Sequence, residues 1–158
     1  MKNNTLIWGL GNELLGDDAA GVLLARKLLK APLSWCTVYE CGVTPENFLK
    51  TIDPKNIKTL LIVDAADLGA EPGSTLLLSL DDEESVNFSS HGLPLGLMLA
   101  PYKDSVEIIL IAIQPASLEL GRPLSEPVAR AIDIIEEKIR SKTWHTIPWL
   151  HQEKRSPK

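Results

Sequence analysis

The sequence is poor in cysteine and has no long apolar run. Its 158 residues include two cysteines, Cys36 and Cys41. Because a separation of five residues along a strand puts two side chains on opposite faces, we expect free thiols and no disulfide. Their spacing also differs from the C-x-x-C motif of metal and redox sites. No apolar run reaches membrane-spanning length, and acidic residues come too early for a signal peptide. We therefore expect a cytoplasmic protein without membrane insertion.

Basic residues are outnumbered by acidic ones, 16 to 21, which gives a net charge of −5. This excess of acid argues against nucleic-acid binding. The hydrophobic content of 44% and charged content of 23% are ordinary for a globular protein. A chain of this length predicts one domain, which we expect at residues 1–142. Residues 143–158 are expected to be a C-terminal tail, in which Trp144, Pro148 and Trp149 fold back onto the domain.

Several motifs of well-known enzyme classes are missing. The glycine-rich segment 9–21 has Leu14 where a dinucleotide fingerprint needs its third glycine. A P-loop would need a lysine and a hydroxyl residue where Asp17 and Asp18 stand, and two carboxylates repel phosphate. No His-Glu-x-x-His or Gly-x-Ser-x-Gly segment occurs, so neither a zincin nor a hydrolase-type serine nucleophile is supported. A nucleotide-binding module is therefore disfavoured.

What the sequence does contain is a regular alternation of strand and helix patterns. The predicted strands are Thr5–Leu10, Trp35–Cys41, Lys58–Asp64, Gly73–Leu80 (an edge strand) and Val106–Ile113. The predicted helices are Asp17–Lys30, Pro45–Ile52, Gly92–Ala100 and Ser125–Arg140. Such alternation predicts the α/β class: a single three-layer domain whose mostly parallel sheet of about five strands has helices on both faces.

This arrangement brings acidic residues to one edge of the predicted sheet. Asp18 lies in the loop above strand one, and Asp64 ends strand three. Because parallel strands end at the same edge, where ligands bind in open α/β sheets, the two carboxylates could converge. Glu40, near the end of strand two, could add a third acid. The alternatives are that Asp17 and Asp18 only cap and stabilise a helix start, and that Asp64 only caps a turn over residues 65–66.

One histidine completes a possible metal-binding set. His91 lies in a polar turn before a predicted helix, whereas His145 and His151 lie in the tail and are expected to be bystanders. A single loop histidine is often simply exposed. Together, however, Asp18, Asp64 and His91 would offer two oxygens and one nitrogen, which suits a borderline divalent metal with open coordination positions.

Four segments of the chain resemble the hydrogenase maturation endopeptidases. They are Gly-Leu-Gly-Asn-Glu-Leu-Leu-Gly-Asp-Asp-Ala-Ala-Gly at 9–21, Ile-Val-Asp-Ala at 62–65, Ser-His-Gly-Leu-Pro-Leu at 90–95 and Ile-Gln-Pro at 113–115. The first motif is specific, and the others are short but occur in the right order. The resemblance extends from about Thr5 to Arg140. Segments 45–47 and 113–115 look most like the branch that serves formate-hydrogenlyase-type hydrogenases.

The resemblance implies a protease of the aspartic or nickel-dependent type. Such an enzyme removes a short C-terminal extension from the nickel-loaded large-subunit precursor of a [NiFe]-hydrogenase. The family's metal-contacting and catalytic residues correspond to Asp18, Asp64 and His91, and the nickel arrives with the substrate, so no cofactor of the protein's own is expected. Segment 40–43 departs from the family's Asp-Gly-Gly-Thr, so the resemblance assigns no role to Glu40. The alternative function is a non-catalytic chaperone that recognises the nickel centre.

Overall fold

A six-stranded β-sheet forms the centre of the fold. The computed structural model describes residues 3–88 and 94–151. The strands are β1 (Thr5–Leu10), β2 (Cys36–Gly42), β3 (Thr59–Asp67), β4 (Thr75–Ser79), β5 (Asn87–Phe88) and β6 (Glu107–Ile113). The α-helices are α1 (Ala20–Lys30), α2 (Leu95–Leu99) and α3 (Glu126–Arg140). Short 3-10 helices occupy Gly16–Ala19, Pro45–Thr51, Leu80–Ser85, Ala100–Tyr102 and Trp144–Thr146.

The strands run in the order β2-β1-β3-β6-β4, and β5 pairs with the end of β3. The first four are parallel to one another, whereas β4 is antiparallel to β6 at the edge. The predicted single α/β domain with a mostly parallel sheet is confirmed, as is the edge position of the fourth strand. Since β1 and β3 are parallel neighbours, their carboxyl ends lie side by side.

Continuous apolar runs explain why β1 and β3 occupy the centre. Every residue of β1 is buried, and so is β3 from Leu60 to Ala66. Strands that are covered on both faces need apolar side chains in both directions. One face packs against α1 and α3, with Leu24 and Ile132 in that core. The other face packs against the segments around Ile52 and α2, which completes three layers.

The cysteines and the last helix follow the sequence pattern. Cys36 belongs to the core on one face of the sheet and Cys41 to the core on the other. Both are buried free thiols, as predicted. Helix α3 buries the apolar stripe expected of it, which consists of Val128, Ala131, Ile132, Ile135 and Ile139. Of the described helices, none is both long and apolar enough to cross a membrane.

The segment after α3 folds back onto the domain. The Trp144 ring stacks on Trp35 with centroids 5.8 Å apart. Leu77 of β4 donates its N–H to the carbonyl of Pro148, and its own carbonyl accepts the N–H of Leu150, both at 2.8 Å. The chain therefore covers the outer edge of β4, which would otherwise present unpaired backbone groups. Residues 154–158 lie outside the described residues.

Some boundaries differ from the prediction because distant parts of the chain set them. The first helix begins as the 3-10 turn Gly16–Ala19, and the predicted helix Pro45–Ile52 is entirely 3-10. Strand β3 continues to Asp67, although the sequence predicted a loop from residue 65. Its extra residues pair with β5, where Ala66 is opposite Phe88. The helix predicted from Gly92 begins at Leu95 within the described part of the chain.

Candidate active site

Asp64 lies within β3 and is fully buried. It is opposite Ala112 of β6 in the parallel register. Its Oδ1 accepts the N–H of Ala65 at 2.8 Å. The prediction that Asp64 ends the strand is wrong, because β5 extends the pairing of β3 beyond it. For the same reason Asp64 does not cap a turn over residues 65–66, since both of these belong to the strand.

Asp18 lies in the 3-10 turn between β1 and α1, and it is also fully buried. Its Oδ2 accepts the N–H of Asn12 at 2.9 Å. The turn itself packs against β3, the strand that carries Asp64. Two buried carboxylates therefore come from contacting elements at the carboxyl edge of the sheet. Buried ionisable side chains that lie together are common at functional sites, so this pair is a candidate for cation binding or catalysis.

Glycines allow this close approach. A Cβ on Gly11, where φ is +137°, would lie 1.8 Å from the carbonyl oxygen of Asp18. A Cβ on Gly21 would lie 2.2 Å from the carbonyl oxygen of Val63. Real Cβ atoms do not approach backbone oxygens so closely, so a larger residue at either position would push the turn or α1 away from β1 and β3. The glycine-rich segment thus serves helix–strand packing instead of phosphate binding.

His91, the third predicted ligand, lies outside the described residues. The chain on either side of it is firmly held. Strand β5 pairs with the end of β3, just beyond Asp64. The carboxylate of Glu83 accepts the N–H groups of Leu95 and Gly96 at 2.6 Å each, at the start of α2. In residues 3–88 and 94–151, no three His, Cys, Asp or Glu side chains cluster as metal ligands would. The set of Asp18, Asp64 and His91 remains a prediction.

Asp17 has a role that the sequence did not reveal. Its side chain does not cap its own helix. Instead, its buried carboxylate accepts hydrogen bonds from three residues after β6: from the N–H groups of Ala116 (2.7 Å) and Ser117 (3.4 Å), and from both polar groups of Ser125. No sequence pattern links Asp17 to these residues. The sequence marks Ser125 only as the predicted start of the last helix. Asp17 therefore fixes the loop beside Asp18.

Glu40, predicted as a possible third acid, is exposed and is not buried with the two aspartates. Its exposed side chain accepts a 2.8 Å hydrogen bond from Nε of Arg26. Nη1 of Arg26 contacts Glu13 at 2.6 Å and lowers the pKa of that carboxyl group, mainly by hydrogen bonding. The pKa of Arg26 is raised in turn by its bonds to Glu13 and Glu40. Glu40 thus belongs to a surface ion-pair network and is not a ligand beside Asp18.

A cleft of about 440 Å³ opens at the loop that joins β1 to the turn with Asp18. Its walls come from the loop after β1, from α1 and from the end of β2. They consist of Gly11, Asn12, Glu13, Leu14, Val22, Arg26, Glu40, Cys41, Gly42, Val43, Thr44 and Phe48. Asn12, which donates to Asp18, lines the cleft directly. An extended peptide in this cleft would therefore pass next to Asn12, the residue whose N–H binds the buried Asp18 carboxylate.

Comparison with known proteins shows the family of the chain. The family model of the HycI hydrogenase maturation protease matches residues 22–142. The Hydrogenase 3 maturation protease of Escherichia coli K12 is 33% identical over 132 residues, which cover 82% of this chain and 85% of that protein. The solution structure of the endopeptidase HycI from Escherichia coli superposes with a TM-score of 0.82 at 30% identity, covering 94% of this chain and 97% of the other.

An archaeal structure extends the comparison. The crystal structure of a [NiFe] hydrogenase maturation protease HycI from Thermococcus kodakarensis KOD1 has a TM-score of 0.78 at 31% identity, covering 90% and 93% of the two chains. The chain belongs to the hydrogenase maturation proteases, and it is therefore a peptidase. The resemblance to the branch predicted from its motifs is confirmed by the matches to HycI and to the Hydrogenase 3 maturation protease.

Proposed function

We propose that this chain is an endopeptidase that removes a short C-terminal extension from the nickel-loaded large-subunit precursor of a [NiFe]-hydrogenase, completing its maturation. The observation that carries the proposal is the pair of fully buried carboxylates, Asp18 and Asp64, on contacting elements at the carboxyl edge of the sheet. Membership of the hydrogenase maturation protease family supplies the substrate class. The enzyme would work in the cytoplasm, without nucleic acid and without membrane insertion.

The proposed chemistry begins with recognition of the metal in the substrate. The precursor's nickel contacts the carboxylates of Asp18 and Asp64 and the imidazole of His91, since oxygen and nitrogen donors suit a borderline divalent ion. This contact holds the scissile bond beside the site, and such positioning can account for much of the rate enhancement of an enzyme. The peptide flanking that bond lies in the cleft next to Asn12.

Hydrolysis then needs an activated water. In the proposal, the nickel or one of the two carboxylates polarises a water molecule, which attacks the carbonyl carbon of the scissile peptide bond. This step would make the enzyme an aspartic-type or nickel-dependent protease. The protein needs no cofactor of its own because its carboxylates act on a metal that the precursor carries. Three ligands from separate elements should bind a free ion only weakly.

The experiment compares three substrates by mass spectrometry of the intact products. They are the nickel-loaded precursor, the nickel-free precursor, and an unrelated unfolded protein with added nickel. We expect the C-terminal fragment to be released only from the first. Efficient cutting of either other substrate would show that nickel in the precursor is not the recognition element.

The alternative predicted from the sequence, a non-catalytic chaperone, could use the same carboxylates, but membership of a protease family disfavours it. Such a protein would bind the nickel-loaded precursor and leave its mass unchanged. Affinity measured alongside the cleavage assay therefore separates the two functions. Binding without any release of the fragment would overturn the proposed protease activity.

A further inference from the structure

Three exposed leucines lie beside the candidate active site. They are Leu14, Leu118 and Leu120, with exposed fractions of 64%, 38% and 75%. Single exposed leucines are normal on protein surfaces. These three, however, lie on two adjoining loops, at the edge of the sheet where Asp18 is buried. We call them the leucine patch.

Backbone contacts hold the two loops together. The N–H of Gly121 donates to the carbonyl of Leu14, and the N–H of Asp17 donates to the carbonyl of Ser117, both at 2.9 Å. A Cβ on Gly16 would lie 2.6 Å from the carbonyl oxygen of Ser117, so the loops pack without space between them. Leu14 therefore belongs to the same surface as the leucines of the second loop.

Side-chain hydrogen bonds also hold the second loop, residues 116–122, in place. The Asp17 carboxylate holds its start through the N–H groups of Ala116 and Ser117. The Ser117 hydroxyl accepts the N–H of Glu119 at 3.2 Å, and Glu119 pairs with Nε of Arg122 at 2.7 Å. The leucines are thus displayed on an ordered backbone. A surface that is already ordered loses little conformational entropy when a partner binds.

The charges around the patch are already paired. Glu119 is bonded to Arg122 on one side, and Glu13 is bonded to Arg26 on the other. Arg26 also binds Glu40, so these three carboxylates and two guanidinium groups together carry a net charge of −1, which attracts a partner only weakly over a distance. Recognition at this surface should therefore depend on apolar contact and respond weakly to salt.

We propose that the leucine patch is the docking surface for the folded body of the large-subunit precursor, an inference that rests on the proposed function. A C-terminal segment of the precursor bound in the cleft would lie against the loop that carries Leu14. Leu14 lies in the patch and also lines the cleft, so the two surfaces are continuous. The occupant is a protein surface with apolar side chains around the point where its C-terminal segment leaves it.

A matched pair of double variants tests the docking surface. The test variant is Leu118→Ser/Leu120→Ser. The control is Leu29→Ser/Ile134→Ser, which removes two other exposed apolar side chains with exposed fractions of 42% and 55%. Leu29 lies in the last turn of α1, at the opposite edge of the sheet, and Ile134 lies in the middle of α3. Circular dichroism and thermal melting check that both variants fold.

We expect the test variant to raise KM for the nickel-loaded precursor about tenfold or more and to leave kcat within about twofold. The control should stay within about twofold in both constants, and the wild-type KM should change little with salt. Equal KM values for the two variants would overturn the docking surface. If the test variant does not fold, Leu14→Ser and Leu120→Ser as single variants give the same comparison.

Precursor binding and light scattering distinguish a docking surface from an inactive protein and from a dimer interface. If the wild-type protein fails to cut any precursor, the proposed function fails, and direct binding of the precursor to both variants still tests the patch. Light scattering measures self-association. A wild-type dimer that Leu118→Ser/Leu120→Ser dissociates, with KM unchanged, would assign the patch to a second copy of this chain and overturn the proposal.

Discussion

The carboxylate of Asp17 binds both polar groups of Ser125, which lies 108 residues further along the chain. Oδ1 accepts the Ser125 N–H at 2.7 Å, and Oδ2 accepts the Ser125 hydroxyl at 2.8 Å. Ser125 directly precedes α3, and Asp17 directly precedes Asp18. The contact therefore ties the start of the last helix to the turn that carries a candidate catalytic residue.

Asp17→Asn should destabilise the protein. Every group that contacts the Asp17 carboxylate donates a hydrogen bond to it. The NH2 group of asparagine cannot accept a hydrogen bond, so it would face at least one of these donors without binding it. That buried donor would be left unpaired. We expect a loss of about 1–3 kcal/mol in the free energy of unfolding, measured by urea denaturation.

Asp133→Asn is the control for that variant. Asp133 has a side chain that is 63% exposed, and it pairs with Lys27 at the surface. Exposed pairs contribute little, so its free energy of unfolding should change by less than about 0.5 kcal/mol. Equal losses for Asp17→Asn and Asp133→Asn would contradict the structural role of Asp17.

Local sequence patterns predicted the core of the fold, whereas contacts between distant residues could not be predicted from them. The apolar runs of β1 and β3 and the stripe of α3 are local patterns, and they predicted the class and layers correctly. The partners of Asp17 could not be read in this way, because they lie about a hundred residues away and have no sequence pattern in common with it. The length of β3 depends on pairing with β5, which is only two residues long.

Part of the site was also predictable. Parallel strands end at one edge, and this rule placed Asp18 and Asp64 on contacting elements. The same rule suggested Glu40, which the structure places in an exposed ion pair instead. The difference arises because β2 is an edge strand with a partly exposed surface, where Arg26 from α1 can reach the carboxylate. Sequence position alone does not distinguish a buried acid from one that a neighbouring arginine binds.

Asp18→Asn and Asp64→Asn should each abolish precursor processing while the fold is kept. Asparagine retains an oxygen that can accept the N–H of Asn12 or of Ala65, so these two hydrogen bonds survive. It loses the negative charge that, in the proposed mechanism, contacts the metal or activates water. We expect the rate of fragment release to fall at least about a hundredfold, measured by mass spectrometry beside thermal melting. His91→Ala is expected to have the same effect.

Glu40→Gln is the control for these carboxylates. Its side chain lines the cleft, but it is exposed and bound to Arg26 and does not belong to the buried pair. We expect processing to stay within about threefold of the wild type. If Glu40→Gln removed activity while Asp18→Asn did not, the assignment of the acids would be reversed.

Gly21→Ala should destabilise the whole domain. The added methyl group would lie 2.2 Å from the carbonyl oxygen of Val63 and 2.3 Å from that of Leu10. Backbone atoms cannot move aside as a flexible side chain can, so α1 would have to shift away from β1 and β3. We expect a loss of about 3 kcal/mol or more, measured as a lower midpoint of urea unfolding. Gly96→Ala is the control, because its methyl group would meet the end of the Glu83 side chain at 3.2 Å and the carbonyl oxygen of Leu80 at an ordinary contact distance of 3.8 Å.

Cys41 should make the stability of the protein fall at alkaline pH. Burial raises the pKa of the Cys41 thiol from its ordinary value of 9.0 to about 12. Between these two values the unfolded chain has lost the thiol proton and the folded protein still holds it. The folded state therefore binds more protons there, and the free energy of unfolding decreases as pH rises. The full contribution is present below pH 9.0 and is lost progressively up to about pH 12.

Comparison with a variant isolates this contribution from other groups that titrate in the same range. Wild type and Cys41→Ala are unfolded in urea with a reductant at pH 8 and pH 10, and the loss of stability between the two pH values is compared. We expect the wild type to lose about 1 kcal/mol more than Cys41→Ala. Cys36→Ala is the matched control: burial also raises the Cys36 pKa, but Arg140 and Lys142 oppose the shift. Removing Cys36 should therefore change the pH dependence less. Identical pH profiles for wild type and Cys41→Ala would show that the Cys41 thiol ionises equally readily in the folded and unfolded states.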